Sequence, residues 1–360
     1  MLDTLSEPAI VAWIGLAGGV VLGLAARIGR FCTLGALEDL FYGDSSERVR
    51  MWGIAIGLSI AGSFAAQALG WIDLTNSIYL SAAWNPWASV AGGLTFGYGM
   101  ALTGNCGYGA LARLGGGDIR AFIIVLVMGI FAYMTIAGPL AYMRIWVFGG
   151  GSAAPTPPSI AFALSDQFGL SLTWVGMGLG FCIFALAAVR RPIWQHLKTL
   201  FWGGLVAGAI VSGWIGTQWI ATHGFEELPV VTHTFSAPIG ESLIYLMSAS
   251  GNSVSFATGS VLGVLIGAFL GSIFKGHFRW EACDDARELR RQIFGAALMG
   301  VGSVLALGCS VGQGLSAFST LAYGAPVTLI CIMIGAAIGL RQLIQGFHQI
   351  DRALRHWQNF

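Results

Sequence analysis

Charged side chains are scarce in this sequence of 360 residues. Asp, Glu, Lys and Arg make up 10% of it and hydrophobic residues 56%, whereas a soluble domain carries about 25% charged residues. This composition excludes the soluble globular class. The apolar runs are continuous and do not alternate in strands of about ten residues, as an outer-membrane barrel would require. The sequence therefore predicts an all-α integral membrane protein embedded in a lipid bilayer.

The sequence also lacks the usual signatures of other functions. A net charge of +1, with no basic cluster interleaved with aromatics, gives no indication of a nucleic-acid partner. The six cysteines include no CxxC pair, and no Cys/His spacing fits a zinc site, so no metal and no cofactor are expected. Cys182 and Cys331 lie in continuous apolar runs, where cysteine is a small buried hydrophobe, and Cys283 lies in a charged loop. Three cysteines remain, at breaks in the apolar pattern: Cys32, Cys106 and Cys309.

Long apolar segments predict about nine transmembrane helices, with ~20 residues per span as the yardstick. They lie at 9–28, 51–71, 87–102, 121–143, 170–189, 200–221, 254–274, 292–307 and 325–346. Four shorter apolar pieces follow spans but cannot cross a membrane alone. These pieces predict half-helices, at Thr33–Tyr42, 107–114, 235–247 and 311–321.

An offset of 203 residues relates the two halves of the chain. Cys309 lies 203 residues after Cys106, and the same offset separates Glu38 from Glu241 and Gly97 from Gly300. The sequence thus predicts two repeats with broken helices that meet at the midplane. The first repeat spans 1–147. A connecting loop and a linker helix occupy 148–198, and the second repeat, with a C-terminal cytoplasmic tail, occupies 199–360.

The basic residues predict that the second repeat is inverted. Lys and Arg concentrate in cytoplasmic loops. The 72–86 loop carries none, whereas the matching loop at 275–291 carries five. The N-terminus is then periplasmic and the C-terminus cytoplasmic, and only Arg144 lies on the side that should be free of basic residues. Inverted repeats with interrupted helices are the architecture of many transporters.

The two matched cysteines stand at glycine-rich interruptions. In lipid, such a break is tolerated only where it is buried in protein or lines a cavity, so the thiols should face a pathway. The residues after each cysteine would start a half-helix, and helix N-termini favour anions. A thiol is a weak donor that suits a soft sulfur-containing anion. Besides the two cysteines, the candidate path residues are Asn105, Gly107, Gly109, Gly308, Ser310, Gly312 and Gln313.

Three further residues are also candidates. Cys32 follows the first span and opens a half-helix, but the offset places Phe235, not a cysteine, in the second repeat. Glu38 and Glu241 occupy matched positions near membrane ends. An intramembrane acid is a functional candidate, yet each glutamate could equally be an interfacial or capping residue.

Three short motifs resemble those of the YeeE/YedE sulfur-transport family. They are Arg30-Phe31-Cys32-Thr33-Leu34-Gly35-Ala36, Gly104-Asn105-Cys106-Gly107-Tyr108-Gly109 and Gly308-Cys309-Ser310-Val311-Gly312. The resemblance implies a protein of the bacterial inner membrane that takes up thiosulfate, with the three cysteines along the substrate path. The sequence departs from the commonest Gly-Gly-Cys form at Asn105 and Leu307, and it carries an extra loop near 217–231.

The leading hypothesis from the sequence is uptake of a small sulfur-containing anion, most readily thiosulfate, without enzymatic activity. A cytoplasmic sulfur-acceptor protein is considered as a partner. Two alternatives remain open: a membrane thiol oxidoreductase that cycles Cys106 and Cys309, and a soft-metal permease that uses the thiolates.

Overall fold

A computed structural model describes residues 6–43, 45–149, 154, 156–189, 197–281 and 285–345. It consists of helices joined by short loops, and the described residues contain no strand, only two isolated bridges. Part of the 148–158 loop, Arg190-Arg191, Cys283 and the predicted cytoplasmic tail from 346 to 360 lie outside the described residues.

Fifteen α-helices are found in the described part. Their bounds are α1 Glu7–Arg27, α2 Thr33–Tyr42, α3 Glu47–Ala68, α4 Ile78–Ser81, α5 Pro86–Thr103, α6 Gly107–Gly115, α7 Ile119–Ile136, α8 Pro139–Phe148, α9 Ile160–Phe168, α10 Leu172–Ala188, α11 Leu197–His223, α12 Ala237–Ser248, α13 Phe256–Phe274, α14 Ala286–Leu305 and α15 Gly324–Gln345. A further short helix at 310–319, π-helical over Gly312–Ala317, follows α14.

The predicted all-α membrane class is confirmed. Six helices in the described part are long and apolar enough to cross a membrane: α1, α3, α7, α11, α13 and α15. The other predicted spans correspond to α5, α10 and α14, of 18, 17 and 20 residues. The predicted segment 121–143 is two helices, because Gly138-Pro139 ends α7 and Pro139 starts α8 without an amide hydrogen to continue the helix.

The four predicted half-helices are present as short helices of 9 to 12 residues. They are α2, α6, α12 and the helix at 310–319, which we call the 310–319 half-helix. Each follows a long helix and is followed by another long helix; the break before it is three to five residues long in three cases and covers 224–236 before α12. The order long, short, long therefore occurs four times, and the two halves of the chain contain the same six elements in the same order.

Glycines bring α5 and α14 into backbone contact at the centre of the molecule. A Cβ on Gly92 would lie 2.6 Å from the carbonyl oxygen of Gly302, and one on Gly99 would lie 2.5 Å from that of Gly295. Residue numbers rise along α5 as they fall along α14, so the helices are antiparallel. Since 203 residues separate Gly92 from Gly295 and Gly99 from Gly302, a two-fold rotation perpendicular to the helices exchanges the two contacts. This geometry supports the predicted inverted repeat.

Gly302→Leu is expected to prevent folding, because Cβ alone would lie 2.5 Å from the amide nitrogen of Phe96. Small residues let membrane helices approach closely, and neither backbone here can move without opening the centre. Fluorescence-detected size-exclusion chromatography in mild detergent measures the loss of the monodisperse peak. Gly178→Leu in α10 is the matched control, since a Cβ there meets nothing within 4 Å. Equal profiles for the two variants would contradict the close packing of α5 and α14.

The ends of the helices define two opposite faces. Arg27 ends α1, and it gathers with Arg113, Arg120 and Arg279 around a small pocket. We call this the basic face. The other end of α1, at Pro8, lies in a large cavity at the opposite face. The loops that the sequence assigns to one side of the membrane thus lie together on one face.

Candidate functional site

The three cysteines at the breaks each stand immediately before a half-helix. Cys106 is the N-cap of α6, and its Sγ accepts a hydrogen bond from the amide of Gly109 at 3.4 Å. Cys309 has the same role in the 310–319 half-helix, where its Sγ accepts a hydrogen bond from the amide of Gly312 at 3.4 Å. Cys32 is the N-cap of α2, without a side-chain cap bond. The matched bonds at Cys106 and Cys309 place both sulfurs at positive helix ends.

The three thiols lie near one another in the interior, and we call them together the row. The thiol of Cys106 is close enough to interact with both Cys32 and Cys309. Cys106 is 0% exposed and Cys309 is 1% exposed, while Cys32 is only partly buried. Cys106 and Cys309 are therefore dry, and Cys32 is partly accessible.

Cys309 is the most highly contacted thiol of the row. Its Sγ accepts a second hydrogen bond, from the amide of Phe235 at 3.4 Å, and lies 3.7 Å from Oγ1 of Thr234. A sulfur that accepts from backbone amides has its own proton left to donate. Its proton is therefore available to Thr234 or to a bound anion.

Phe235 stands where a counterpart of Cys32 would lie in the second half of the chain. It occupies the position that matches Cys32, is 0% exposed, and its ring lies 5.3 Å from that of Tyr108. Its backbone amide donates to Cys309, so this position contributes a main-chain hydrogen bond in place of a thiol. The sequence predicted the missing thiol but not this contact.

Polar atoms without partners surround the row. Among the described residues, both side-chain atoms of Asn105, Oγ of Ser310 and Oε1 of Gln313 are buried and make no hydrogen bond. Native proteins pair nearly all such atoms, so their concentration here indicates space for water or a ligand. Ser310 also lies beside the thiol of Cys106.

Two hydroxyl residues belong to this set although the sequence did not point to them. Thr33 begins α2 and Ser236 is the N-cap of α12, and both hydroxyls are buried without a partner. They are 203 residues apart and so occupy matched positions of the repeat. In the sequence, Thr33 directly follows Cys32 and Ser236 directly follows Phe235. This position became informative only once the first residues of the half-helices were known.

The candidate glycines let the half-helices approach their neighbours. A Cβ on Gly107 would lie 2.9 Å from Sδ of Met128, and one on Gly312 would lie 2.5 Å from Oγ1 of Thr234. A Cβ on Gly109 would lie 3.7 Å from Sγ of Cys106, and one on Gly308 would lie 3.3 Å from the amide nitrogen of Gln313. Side chains at the first turns would thus fill the space beside the sulfurs.

Leu307 marks the departure from the glycine pattern in the second repeat. Its φ of 56° lies in the left-handed region, and the matching Gly104 has a φ of 74°. A leucine pays a steric penalty in this conformation that glycine does not. The chain therefore keeps the same turn before Cys309 even with an unfavourable residue.

A cavity of about 480 Å³ reaches from the face opposite the basic face toward Cys309. We call it the vestibule. Thr234, which contacts Cys309, and Gly308, which precedes it in the sequence, both line the vestibule. Tyr79 lines it as well. Its lining is mostly apolar, and among the described residues Arg144 is the one Lys or Arg that lines it. The guanidinium of Arg144 donates to the carbonyls of Thr135 and Ile136, at 3.1 and 3.5 Å, near the end of α7.

The two matched glutamates lie away from the thiols, at opposite faces. Glu241 is exposed and lines the vestibule. Glu38 is exposed and lies near Arg48 and Arg113 at the basic face. The other two described cysteines lie on long helices: Cys182 is exposed on α10, and Cys331 of α15 packs against Gly93 of α5.

Comparisons with known proteins agree on the class of this chain. A family model described as sulphur transport matches residues 28–338, a range that contains all three half-helix cysteines. Two curated relatives are named thiosulfate transporter TsuA. The relative from Escherichia coli (strain K12) is 26% identical over 338 residues, which cover 89% of this chain and 91% of the relative. The relative from Spirochaeta thermophila is 23% identical over 337 residues, which cover 90% and 96%.

Proposed function

Because the chain belongs to the sulphur-transport family, we propose that it takes up thiosulfate, or a closely related sulfur anion, across a bacterial inner membrane. The observation that carries the proposal is the row of three thiols, each at the start of a half-helix. The names of both relatives support thiosulfate as the substrate.

The row suits a sulfur anion for two physical reasons. Half-helix N-termini have unpaired amides and partial positive charge, which attract an anion without a buried cation. Thiol protons are weak donors, so they can replace part of the hydration shell without holding the ion too tightly to leave. A path needs several such weak sites in succession, and the row supplies three.

The proposed path begins in the vestibule and ends at the basic face. Arg144 attracts the dianion into a cavity that is otherwise mostly apolar. The anion then passes Thr234 to reach Cys309, moves to Cys106, and leaves past the partly exposed Cys32. A cytoplasmic protein that accepts the sulfur would meet it near Cys32. The protein itself performs no enzymatic step in this scheme.

The proposed architecture is an inverted repeat, with the first repeat within 1–147 and the second within 199–360. The antiparallel contacts of α5 with α14 support an axis in the membrane plane. The vestibule then faces the periplasm with the N-terminus, and the basic face is cytoplasmic.

Single cysteines at Asn76 and Glu281 are expected to be labelled from opposite sides of the membrane. Asn76 ends a 3-10 turn in a loop without Lys or Arg, and Glu281 lies in the pocket of the basic face. An impermeant maleimide applied to whole spheroplasts should label Asn76→Cys only, and Glu281→Cys only after lysis. Labelling of both from the same side would refute the inverted topology.

Uptake of radiolabelled thiosulfate into proteoliposomes tests the function itself. Vesicles that contain the protein should accumulate label well above empty vesicles, and unlabelled thiosulfate should compete. Cys182→Ala vesicles are the matched positive control, because that residue lies outside the path. Accumulation equal to that of empty vesicles, with correctly folded protein in the membrane, would reject thiosulfate transport.

A further inference from the structure

A second pocket, of about 150 Å³ and lined by polar residues, lies at the basic face. It forms where the end of α1, the turn between α6 and α7, and the loop after α13 meet. The loop is fixed in place by backbone bonds, from the amide of Ile119 to the carbonyl of Glu281 and from the amide of Glu281 to the carbonyl of Gly117, both at 3.1 Å. Its walls are Arg27, Arg113, Arg120, Arg279, His277, Asp118, Glu281 and Gly116.

The positive charges in this pocket exceed the negative ones. Four arginines face two carboxylates, and both carboxylates are engaged by the same arginine: Arg120 contacts Asp118 at 3.2 Å and Glu281 at 3.3 Å. Among the described residues, Arg27, Arg113 and Arg279 have no carboxylate within ion-pair distance. Three guanidinium groups therefore line one hollow without a direct ion pair to any described carboxylate.

The pocket is built and not an accidental gathering of long side chains. Nε of Arg27 donates to Oγ of Ser272 at 2.7 Å, and Nη2 of Arg113 donates to the carbonyl of Gly104 at 3.3 Å. A Cβ on Gly116 would lie 2.6 Å from Cζ of Arg27, so the glycine makes room for this guanidinium. Arg27 is close enough to Arg113 to be repelled by it, and close enough to Glu281 and Asp118 to be attracted by them. A bound anion would add further attraction for both guanidinium groups.

The surrounding surface strengthens the positive potential. Lys275 follows α13 and donates to the carbonyls of Arg27 and Ile28, at 3.3 and 3.0 Å. The pKa of its ammonium is lowered by burial, then by the charges of Arg30, Arg27 and Lys198. The enrichment of basic residues in cytoplasmic loops accounts for the number of basic residues here. It does not account for their convergence on one pocket that Gly116 lines.

We infer that this pocket binds a tetrahedral oxyanion of the phosphate or sulfate class. Guanidinium groups present paired donors that match two oxygens of such an anion, and the volume fits one small ion or one lipid headgroup phosphate. The site lies at the far end of α6 from Cys106, so it is separate from the thiol row. The inference does not depend on the identity of the transported substrate.

Sodium phosphate tests the free anion. The full-length protein is held in nanodiscs of phosphatidylcholine, and its unfolding temperature is measured in phosphate and in chloride of equal ionic strength. Phosphate should raise the midpoint by roughly 2 °C or more at tenfold Kd. The rise should vanish in Arg279→Gln, whose side chain is exposed, and in the Arg27→Gln/Arg279→Gln double variant. Arg290→Gln removes a charge from the same face outside the pocket and should keep the rise.

Native mass spectrometry in detergent with added phosphatidylglycerol tests the headgroup. Lipid adducts retained by wild type and lost in Arg279→Gln, without any phosphate effect, would assign the site to a lipid phosphate. The thermal measurement is repeated in the Cys106→Ala/Cys309→Ala background, where the rise should persist. A rise lost in that background, a rise equal in wild type and Arg279→Gln, or no response to either probe would overturn the inference.

Discussion

Cys106→Ala and Cys309→Ala are each expected to reduce thiosulfate uptake several-fold to a hundredfold or more. Each thiol is buried and accepts a hydrogen bond from an amide of its own half-helix. In the proposed path, each thiol donates its proton to the anion. An unmade hydrogen bond in a dry site costs about 1–3 kcal/mol, and more when the acceptor is charged. At ~1.4 kcal/mol per tenfold in rate, the loss spans several-fold to a hundredfold, and more for a charged acceptor. Initial rates in proteoliposomes measure it.

The remaining described cysteines provide graded comparisons. Cys182→Ala and Cys331→Ala should leave uptake nearly intact, since Cys182 is exposed on α10 and Cys331 packs between α15 and α5. Cys32→Ala should be intermediate, because the second repeat uses a backbone amide at the matched position. Protein levels and elution profiles must match wild type. Uptake by the Cys106→Ala/Cys309→Ala double variant at the wild-type rate would end the proposal that these thiols form the path.

Serine in place of each cysteine separates three mechanisms. Serine keeps a donor but removes the polarizable sulfur, so uptake retained in Cys106→Ser and Cys309→Ser would mean that hydrogen bonding alone suffices. Uptake lost in both would mean that sulfur itself is required. The oxidoreductase alternative makes a different prediction, because it needs a disulfide between Cys106 and Cys309 during turnover. Mass-shift labelling of free thiols before and after uptake detects such a bond.

Local patterns in the sequence predicted the elements around the thiols. The half-helix expected at Thr33–Tyr42 has those bounds, and the one expected from 107 begins at Gly107. This succeeded because a short apolar piece after a glycine-rich break has few other conformations open to it in lipid. The offset of 203 also relates the two glycine contacts between α5 and α14, although the sequence did not predict those contacts. The same pattern did not predict the helices α4 and α9, which are too short to leave a periodic signal.

The parts of the site that escaped prediction depend on tertiary contacts. Thr33 and Ser236 became candidates only when their hydroxyls proved to be buried without partners. Arg144 was noted only as an exception to the charge pattern, because nothing in the sequence places α8 beside the vestibule. Its guanidinium is held by the end of α7, a contact made possible by the turn at Gly138-Pro139. The position of Arg144 on the side otherwise free of basic residues was thus the signal in the sequence. Its place in the vestibule became clear only from the fold.

Arg144→Gln is expected to raise the half-saturating concentration of thiosulfate by about 5- to 30-fold, with a smaller effect on the maximal rate. A unit positive charge acts on a dianion across a mostly apolar cavity, where an interaction of about 1–2 kcal/mol is reasonable at an effective dielectric constant between protein and water. Glutamine has similar length but no charge. Arg144→Lys keeps the charge and loses the paired carbonyl contacts, so it should lie between wild type and glutamine.

Salt dependence separates this electrostatic role from a structural one. Added sodium chloride screens the attraction, so wild-type affinity should fall with salt while that of Arg144→Gln should change little. Glu241→Gln provides the opposite change in the same cavity, since it removes a negative charge from the vestibule and should not weaken uptake. A misfolded protein would instead lose maximal rate at every salt concentration. If Arg144→Gln and wild type share one half-saturating concentration at low salt, Arg144 does not attract the anion and the cavity acts through its shape alone.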